Sequence, residues 1–475
     1  MTKASQNKFN QAIETLAQLG PLDVEQQSVK FTAQQLNLSS RFRAAEGAGA
    51  ALAAGACVAN NIAQVRGHQA STVALSSRHA EASLLSFAYL QFADQARAPA
   101  LRLAPEQRTA AAGFYPTADG RWVYLHSGFP HNTAGLLKLL GTPDDHDAVA
   151  KRVGEYEAQA LEDAIAGAGL CGAMVRTPEE WDSSLAGHVL NTRPVVDIIQ
   201  VGDSDPEPFP EDHARPLNGV NVLDLTRILA GPTCARTLAS YGASVLRVGA
   251  EHLPSIPLFV ADTGIGKRST FLDFAQAHDK ATLNELISQA DVFSQGYRTG
   301  AMERHGFGVK DVVARRPGIV YVSINCYGHE GAWRNRPGWE QLAQTVTGMA
   351  HVHGQDVNDG TPELQPAAVT DYTTGYLAAY GALCALQRRA QMGGSYWVRV
   401  SLARTGVWIR NLELHKQVNA TPFKPTELAK MQNTVDTAWS EATYLKPAVQ
   451  LSQIPVEWQQ PPVPLGTHSP AFGNG

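Results

Sequence analysis

Cysteine is scarce in this chain, and its distribution excludes several kinds of site. Five cysteines are scattered over 475 residues, odd in number and without Cys-x-x-Cys spacing. This pattern predicts neither a disulfide framework nor a zinc site, so we expect free thiols and no metal. Cys326, in the turn Asn-Cys-Tyr-Gly, is interpreted as an inert buried thiol, with a place near a functional site as the alternative.

Nucleotide-binding motifs, an excess of charge and long apolar runs are also missing. Without a P-loop or the glycine spacing of a dinucleotide fingerprint, neither nucleotide hydrolysis nor NAD binding is supported. A net charge of −5 and an isoelectric point near 6.3 give no reason to expect nucleic acid or an anionic membrane as partner. We see no apolar run that approaches a membrane span and no signal-peptide core, so we expect a cytoplasmic protein with no membrane partner.

What is present is enough apolar sequence for a large core and the pattern of an α/β fold. With 44% hydrophobic residues, the chain can form two or more domains. Residues 220–225 predict a buried parallel strand, 230–232 a turn, 233–241 a helix and 244–248 the next strand. This order predicts a doubly wound parallel sheet, which binds ligands at the carboxyl ends of its strands.

Asp371 stands just ahead of an apolar helical run at residues 376–386. A carboxylate in this position commonly caps a helix, because it accepts a free backbone N–H and lies at the positive end of the helix dipole. On its own, Asp371 is interpreted as a cap. The segments around it change that interpretation.

Seven segments from residue 222 to residue 375 resemble, in order, the family III CoA-transferases. This family includes formyl-CoA transferase, carnitine CoA-transferase and α-methylacyl-CoA racemase. The resembling segments are 222–232, 238–248, 267–273, 290–292 with 297–307, 316–324, 337–344 and 369–375. The resemblance implies an α/β fold with a Rossmann-like doubly wound parallel sheet and a smaller α+β domain.

The resemblance also implies that Asp371 is a nucleophile. In the family, an aspartate at this position attacks the acyl-CoA carbonyl, the resulting mixed anhydride becomes an aspartyl-CoA thioester, and an acceptor carboxylate takes the CoA. Thioester is exchanged for thioester, so no ATP, metal or permanently bound cofactor is needed. We therefore expect coenzyme A and acyl-CoA as substrates, with a carboxylic acid as the second reacting partner.

Other positions near the reacting centre follow from the resemblance. Arg227, Ile228 and Leu229 occupy the turn where formyl-CoA transferase contacts CoA and its catalytic site, although a His-Val-Gln triplet stands there in that enzyme. Because Leu229 has no side-chain amide, we expect any oxyanion donor to be a backbone N–H. Glu340 matches a glutamate close to the catalytic aspartate, with a surface helix residue as the alternative.

Four more positions are expected to bind the distant end of CoA. Lys267 and Arg268 match the family's Lys-Arg pair, which suits phosphates, with a solvated surface pair as the alternative. Arg304 matches an arginine at the nucleotide end, and Tyr297 stands where the family has an aromatic residue near the adenine.

Two other functions stay open. The racemase has a His-Asp pair where this chain has Trp339-Glu340, and an indole cannot act as the general base, which disfavours a racemase. A non-catalytic or degenerate CoA-binding relative is the other alternative, because Leu229 and the short segment between residues 248 and 267 depart from the family.

An internal repeat determines the predicted domain organisation. Residues 49–61 and 66–75 parallel residues 375–386 and 393–402, and this alignment places Ala45 where Asp371 stands. We therefore expect one catalytic aspartate in the chain. The predicted parts are a partial large-domain copy at 1–100, a small α+β domain at 101–201, an exposed acidic linker at 202–215, a CoA-binding large domain at 216–415 and an extension at 416–475 that returns to the large domain. Family III enzymes are interlocked dimers, so we expect either a homodimer or a single chain that imitates one.

Overall fold

The computed structural model describes residues 2–20, 28–98, 109–211, 214–417 and 420–473. In chain order the α-helices are α1 Thr2–Ala17, α2 Ala44–Val65, α3 Ser77–Ser83, α4 Pro130–Leu140, α5 His146–Val153, α6 Ala158–Gly167, α7 Pro178–Ser183, α8 Leu185–Asn191, α9 Ala230–Ser240, α10 Pro257–Gly264, α11 Ala277–Ser288, α12 Ala301–Arg304, α13 Val309–Arg315, α14 Glu340–Val346, α15 Met349–Val357, α16 Val369–Met392, α17 Leu402–Arg410 and α18 Pro425–Met431. The strands are β1 Val29–Thr32, β2 Val73–Ser76, β3 Gln91–Phe92, β4 Gly113–Pro116, β5 Trp122–Leu125, β6 Gly172–Met174, β7 Asp197–Gly202, β8 Asn221–Asp224, β9 Ser244–Gly249, β10 Lys267–Phe271, β11 Val292–Gln295, β12 Val320–Asn325, β13 Ser395–Ser401, β14 Gln432–Asp436, β15 Glu441–Leu445 and β16 Val449–Leu451.

The largest sheet has seven strands in the order β10-β9-β8-β11-β12-β13-β7. The first six are parallel, and β7 pairs antiparallel with β13 at the edge. The direction of winding reverses between β8 and β11, and such a reversal opens a ligand crevice at the carboxyl ends of the strands. The predicted α/β fold with a large parallel sheet is confirmed. Helix α9 begins at Ala230 instead of residue 233, because the turn before it is shorter than the sequence indicated.

A second, three-stranded sheet repeats the edge of the first on a smaller scale. In the order β1-β2-β16, β1 and β2 are parallel and β16 is antiparallel to β2. Strands β12, β13 and β7 have the same relation. In both sheets a long helix, α2 or α16, precedes the middle strand and a shorter helix, α3 or α17, follows it.

Helix α2 joins the N-terminal part of the chain to the large sheet. It packs against α16 and shares one hydrophobic core with residues of β8 and β12. The side chain of Arg66, just beyond α2, donates to the carbonyl oxygens of Pro216 and Asn218 at 3.0 and 2.9 Å. Residues 45–90 therefore lie beside the sheet that follows residue 217, although the division into five parts stays a prediction.

Helix α2 is also long and apolar enough, by length and composition, to cross a membrane. This run differs from the expectation, stated above, that no apolar segment approaches the length of a membrane span. Most of the helix is buried against α1, α3 and α16, which is the environment of a core helix.

Strands β4, β5 and β6 form an antiparallel sheet that packs with neighbouring helices around a core of its own. This α+β unit lies where the small domain was predicted, and its predicted start at residue 101 falls outside the described residues.

The C-terminal segments are distributed over three sheets. β14 and β15 form a hairpin that adds β3, β16 joins β2, and the backbone N–H of His468 donates to the carbonyl of Ser269 on β10 at 2.7 Å.

The predicted linker has no regular structure after Gly202, but it is attached to the large sheet. Arg316 donates to the carboxylate of Glu207 at 2.6 Å, and the backbone N–H of Glu207 donates to the carbonyl of Arg389 at 3.2 Å. The segment is therefore less free than its acidic, proline-rich composition indicated; residues 212 and 213 of the predicted linker lie outside the described part of the chain.

Candidate active site

Asp371 is the third residue of α16, and Ala368 is the N-cap. Asp371 is therefore not the helix cap that its position in the sequence alone suggested. Its side chain is 7% exposed, and no described residue donates a hydrogen bond to its carboxylate. Burial, and then the negative charge of Glu340, raise the pKa of Asp371 well above its usual value. A buried carboxylate without donors is costly as a structural element and is typical of functional sites.

Glu340, the first residue of α14, supplies the cap that α16 needs. Its carboxylate accepts the backbone N–H groups of Thr370 and Asp371, both at 3.1 Å, together with the hydroxyl of Thr370. It also accepts the side-chain amide of Gln344 at 2.7 Å. Burial raises the pKa of Glu340 to about 7, although these hydrogen bonds act in the opposite direction. Glu340 is buried, so the alternative of a surface helix residue is wrong.

The turn after β8 brings the start of α9 close to the start of α16. Gly375 lies one helical turn beyond Asp371, and a Cβ there would meet the carbonyl oxygen of Ala230 at 2.5 Å, so only glycine permits this approach. Helix α9 follows Leu229 without a side-chain cap. Its first backbone N–H groups are therefore available to an anion beside Asp371.

Ile228 marks the same turn with a strained backbone. Its φ is 72°, in the left-handed region that β-branched residues avoid. The turn is held in part by Asp224, whose carboxylate accepts the backbone N–H of Thr226 at 3.0 Å. Strain of this kind concentrates at active sites and ligand clamps.

A cleft of about 210 Å³ opens beside the turn. Its lining residues are Arg227, Ile228, Arg247, Pro254, Ser255, Ile256, Phe259 and Val260. Burial lowers the pKa of both arginines, and Nη1 of Arg247 is buried without a partner among the described residues. Two desolvated guanidinium groups in one cleft favour the binding of an anion.

Tyr297 and Arg304 follow β11, on the other side of the point where the winding reverses. Burial raises the pKa of Tyr297, while the charges of Arg227 and Arg247 act to lower it, so the phenol lies near the cleft cations. Arg304 ends α12; it is exposed and forms no ion pair within the described ranges. Tyr297 is therefore placed beside the cleft, whereas no described contact joins Arg304 to it.

The predicted basic pair Lys267 and Arg268 does not line the cleft. The ammonium of Lys267 is buried and donates to Asp224 and to the carbonyl of Pro232, both at 2.7 Å. Arg268 instead donates to the carbonyl of Ala471 at 3.1 Å, in the C-terminal segment. Successive residues of a strand point to opposite faces, which separates the two cations. Lys267 is neither a surface residue nor accessible to a phosphate in this arrangement.

The small α+β unit forms a wall of the site. The ring of His126 lies 4.7 Å from that of Trp339, and Phe129 contacts the same indole at 5.2 Å. The guanidinium of Arg227 lies over the Phe129 ring at 4.9 Å. Burial lowers the pKa of His126 to about 4, so its imidazole is neutral near pH 7. Residues 126–129 therefore bridge the cleft and the residue next to Glu340.

A buried network of hydrogen bonds and an ion pair around Asp262 fixes the start of α16. The phenol of Tyr372 and the hydroxyl of Ser86 each donate to the carboxylate of Asp262 at 2.9 Å. Arg236 of α9 forms an ion pair with the same carboxylate at 3.0 Å. The network ties the N-terminal part, α9, α10 and α16 together next to Asp371.

Cys326 satisfies both interpretations made from the sequence. Its thiol is buried and lies 3.5 Å from the carbonyl of Trp339, close enough to the two carboxylates for their charges to act on it. Burial is the main cause that raises its pKa well above the usual value. The group is an unreactive thiol beside the site.

Sequence reasoning missed Arg247, His126 and Phe129. Arg247 could have been recognised from the sequence, because an arginine within the apolar run at residues 244–248 is expected to be buried, and a buried arginine is rarely found without a partner. His126 and Phe129 could not, since their role depends on how the small unit docks. No group of three His, Cys, Asp or Glu side chains that could hold a metal is present in the described part of the chain.

Comparison with known proteins shows which family the chain resembles. The model of CoA-transferase family III matches residues 30–207 and 217–444. An acyl-CoA transferase of Gibberella moniliformis is 36% identical over 315 residues, which cover 62% of this chain and 55% of that protein. Acetyl-coenzyme A transferase nodX of Hypoxylon pulicicidum is 32% identical over 326 residues, covering 64% and 55%.

A hypothetical protein, Rv3272, from Mycobacterium tuberculosis is similar in structure, with 29% identity and a TM-score of 0.39 over 42% of this chain and 58% of that one. The chain spans about half the length of the curated relatives it matches. Because the family model covers most of its residues, the chain belongs to CoA-transferase family III.

Proposed function

We propose that this chain is a CoA-transferase that moves CoA from an acyl-CoA to a carboxylic acid, with Asp371 as the nucleophile. The observation that carries the proposal is the carboxylate of Asp371, which is buried and accepts no hydrogen bond from any described residue. It lies one helical turn before Gly375, where α16 approaches Ala230 at the start of α9. Glu340 already caps α16, so Asp371 is left free for chemistry. The names of the relatives support the same activity.

The proposed reaction runs through two kinds of intermediate. The ionised Asp371 attacks the thioester carbonyl, the C–S bond breaks, CoA leaves as the thiolate, and the acyl group remains on Asp371 as a mixed anhydride. The thiolate then attacks the aspartyl carbonyl and releases the acyl group as a carboxylate, which leaves an aspartyl-CoA thioester. The acceptor carboxylate repeats these steps in reverse and restores Asp371. Backbone N–H groups at the start of α9 stabilise the oxyanions, because they are fixed before the reaction begins.

We place coenzyme A along the cleft at the carboxyl ends of β8 and β9. Arg227 and Arg247 are suited to its phosphates, Arg304 to the phosphate at the nucleotide end, and Tyr297 to the adenine. Lys267 has a different role in this proposal. Its ion pair with Asp224 fixes the turn that carries Arg227 and Ile228.

Trapping of the acyl-aspartate tests the proposal. The protein is incubated with assorted acyl-CoAs and hydroxylamine, which converts an activated aspartyl group to a hydroxamate that peptide mass spectrometry locates. We expect the tag on Asp371 and none on Glu46, a buried carboxylate at the same position of α2. CoA binding without an aspartyl species for any donor would instead establish the non-catalytic alternative.

The racemase alternative has a separate test. His126 is an imidazole beside Trp339, but its Nε2 is buried and burial keeps the ring neutral. Exchange of the α-proton of a 2-methylacyl-CoA for deuterium in D₂O, without CoA transfer, would replace the transferase proposal by a racemase. The homodimer and the cytoplasmic location stay predictions, which light scattering and cell fractionation would test.

A further inference from the structure

A second cleft, of about 390 Å³, opens between the start of β7, the end of β13 and the loop after β12. None of its lining residues belongs to the candidate active site. One side is apolar and includes Val189, Leu190, Val195 and Val400. The opposite side carries charged residues, which gives the cleft an amphipathic lining.

The charged side has three arginines, Arg193, Arg399 and Arg404, but only two carboxylates, Asp197 and Glu330. Arg399 donates to Asp197 at 3.1 Å and forms an ion pair with Glu330 at 3.1 Å, and Arg193 forms a second ion pair with Glu330. Within the described ranges, Arg404 has no carboxylate partner. Its Nε donates to the carbonyl of Arg193 at 2.7 Å, and its Nη1 is buried without a partner among the described residues.

No other titratable group in the lining compensates Arg404. Burial lowers the pKa of His329 to about 3, so this imidazole is neutral. Burial, and then the charge of Arg410, lower the pKa of Arg404 to about 10, which leaves its guanidinium charged at neutral pH. A desolvated cation without a counter-ion is unfavourable, and a bound anion removes that cost.

We propose that this cleft binds a small monocarboxylate with a short apolar tail. Arg404 takes the carboxylate through its guanidinium, whose buried Nη1 faces no described partner. The tail lies against Val195 and Val400. The single unpaired positive charge and the neighbouring Asp197 and Glu330 disfavour a doubly charged phosphate. This site is independent of the proposed transfer reaction.

Trp397 provides a reporter for the cleft. Its Nε1 donates to the hydroxyl of Ser323 at 2.7 Å, and that hydroxyl lies 2.8 Å from Nε2 of His329 in the cleft wall. We would label the full chain with fluorotryptophan, assign Trp397 and Trp339 with Trp→Phe variants, and titrate sodium butyrate by ¹⁹F NMR. Butylamine hydrochloride serves as the cationic control of the same size.

We expect a saturable shift of the Trp397 signal with butyrate, none with butylamine, and no shift of Trp339. Arg404→Gln should weaken butyrate binding about tenfold or more, the usual effect of losing a charge-assisted hydrogen bond. Arg315→Gln, at an exposed arginine of α13, should bind like the parent chain.

Four results would overturn the proposal: no saturable shift, equal shifts with butylamine, a shift of Trp339 in place of Trp397, or unchanged affinity in Arg404→Gln. If circular dichroism shows that Arg404→Gln does not fold, Val189→Phe decides. Val189 is only partly buried, so the larger ring narrows the cleft without entering the core. Butyrate binding that survives this change places the ligand elsewhere.

Discussion

Helices α2 and α16 each carry a carboxylate at their third position, and the two carboxylates have opposite surroundings. Glu46 and Asp371 are as far apart in sequence as Ser76 and Ser401, the N-caps of the helices that follow. The counterpart of Asp371 in the N-terminal part is therefore Glu46. The sequence repeat had placed Ala45 there, one residue out of register, because glycine and alanine matches fix a register weakly.

Only one oxygen of Glu46, Oε1, has partners; Oε2 is buried without one among the described residues. Its Oε1 accepts the hydroxyl of Ser5 at 2.5 Å and the guanidinium of Arg43 at 3.0 Å, and lies 3.5 Å from Nε2 of His415. Burial acts to raise the pKa of Glu46, but His415, Ser5 and Arg43 together hold it below its usual range. In the part of the chain that the structure describes, no donor contacts the carboxylate of Asp371, and its pKa is raised.

The comparison shows what separates a structural carboxylate from a reactive one at the same position of a helix. The partners of Oε1 lower the pKa of Glu46 and stabilise its carboxylate, which weakens it as a nucleophile. Asp371 keeps its lone pairs because Glu340 takes over the capping of α16. The difference lies in the neighbours of each helix and not in the helix itself.

The largest expected effect separates the two carboxylates by activity. Asp371→Asn keeps the size of the side chain but removes the anionic oxygen, so CoA transfer should fall by roughly a thousandfold or more while the chain still folds. Glu46→Gln should leave the rate of the folded protein close to that of the parent. Both rates are measured by chromatography of acyl-CoA products. An active Asp371→Asn variant would show that the two carboxylates do not differ in this way.

The second expected effect separates them by stability. Glu46→Gln leaves the buried Arg43 without its counter-charge, so the free energy of unfolding should drop by about 3 kcal/mol. The matched control is Glu413→Gln, whose ion pair with Lys8 is largely exposed at Glu413 and should contribute little to the free energy of unfolding. Urea denaturation measures both. Equal losses would mean that burial of the Glu46 cluster adds nothing.

The third prediction applies the same contrast to two arginines of the proposed CoA site. Arg247 is buried and Arg304 exposed. Arg247→Met should weaken CoA binding by about 2 kcal/mol at low and high salt alike, because a desolvated contact is screened little. Arg304→Ala should weaken it less, and its loss should shrink in high salt. Calorimetric titration with CoA at two salt concentrations distinguishes them, and a reversed order would place the phosphates outside the cleft.

Local sequence patterns predicted most of the fold but only part of the candidate active site. The strand, helix and strand between residues 220 and 249 followed from apolar runs and a small-residue turn, and the motif around Asp371 indicated the family. Lys267 was misplaced because a motif match does not tell which face of β10 a side chain takes. His126, Phe129 and the partners of Glu46 come from distant parts of the chain, so only the packed structure brings them together.

The fourth expected effect is a dependence of stability on pH. The folded chain raises the pKa of Asp371 well above the usual value and that of Glu340 to about 7, so it keeps protons that the unfolded chain releases near pH 4. The free energy of unfolding should therefore fall as pH rises from about 4 through 7, by about 1.4 kcal/mol for each unit of pKa shift.

Asp371→Asn removes one of these groups and its repulsion with Glu340, so the free energy of unfolding of this variant should fall less over the same range. Glu46→Gln should not flatten the curve, because the pKa of Glu46 is lowered and its contribution is lost only as pH falls below the usual range. Urea titrations of the parent and both variants at pH 5 and 8 check the sign, and parallel curves for the parent and Asp371→Asn would mean that Asp371 is ionised throughout.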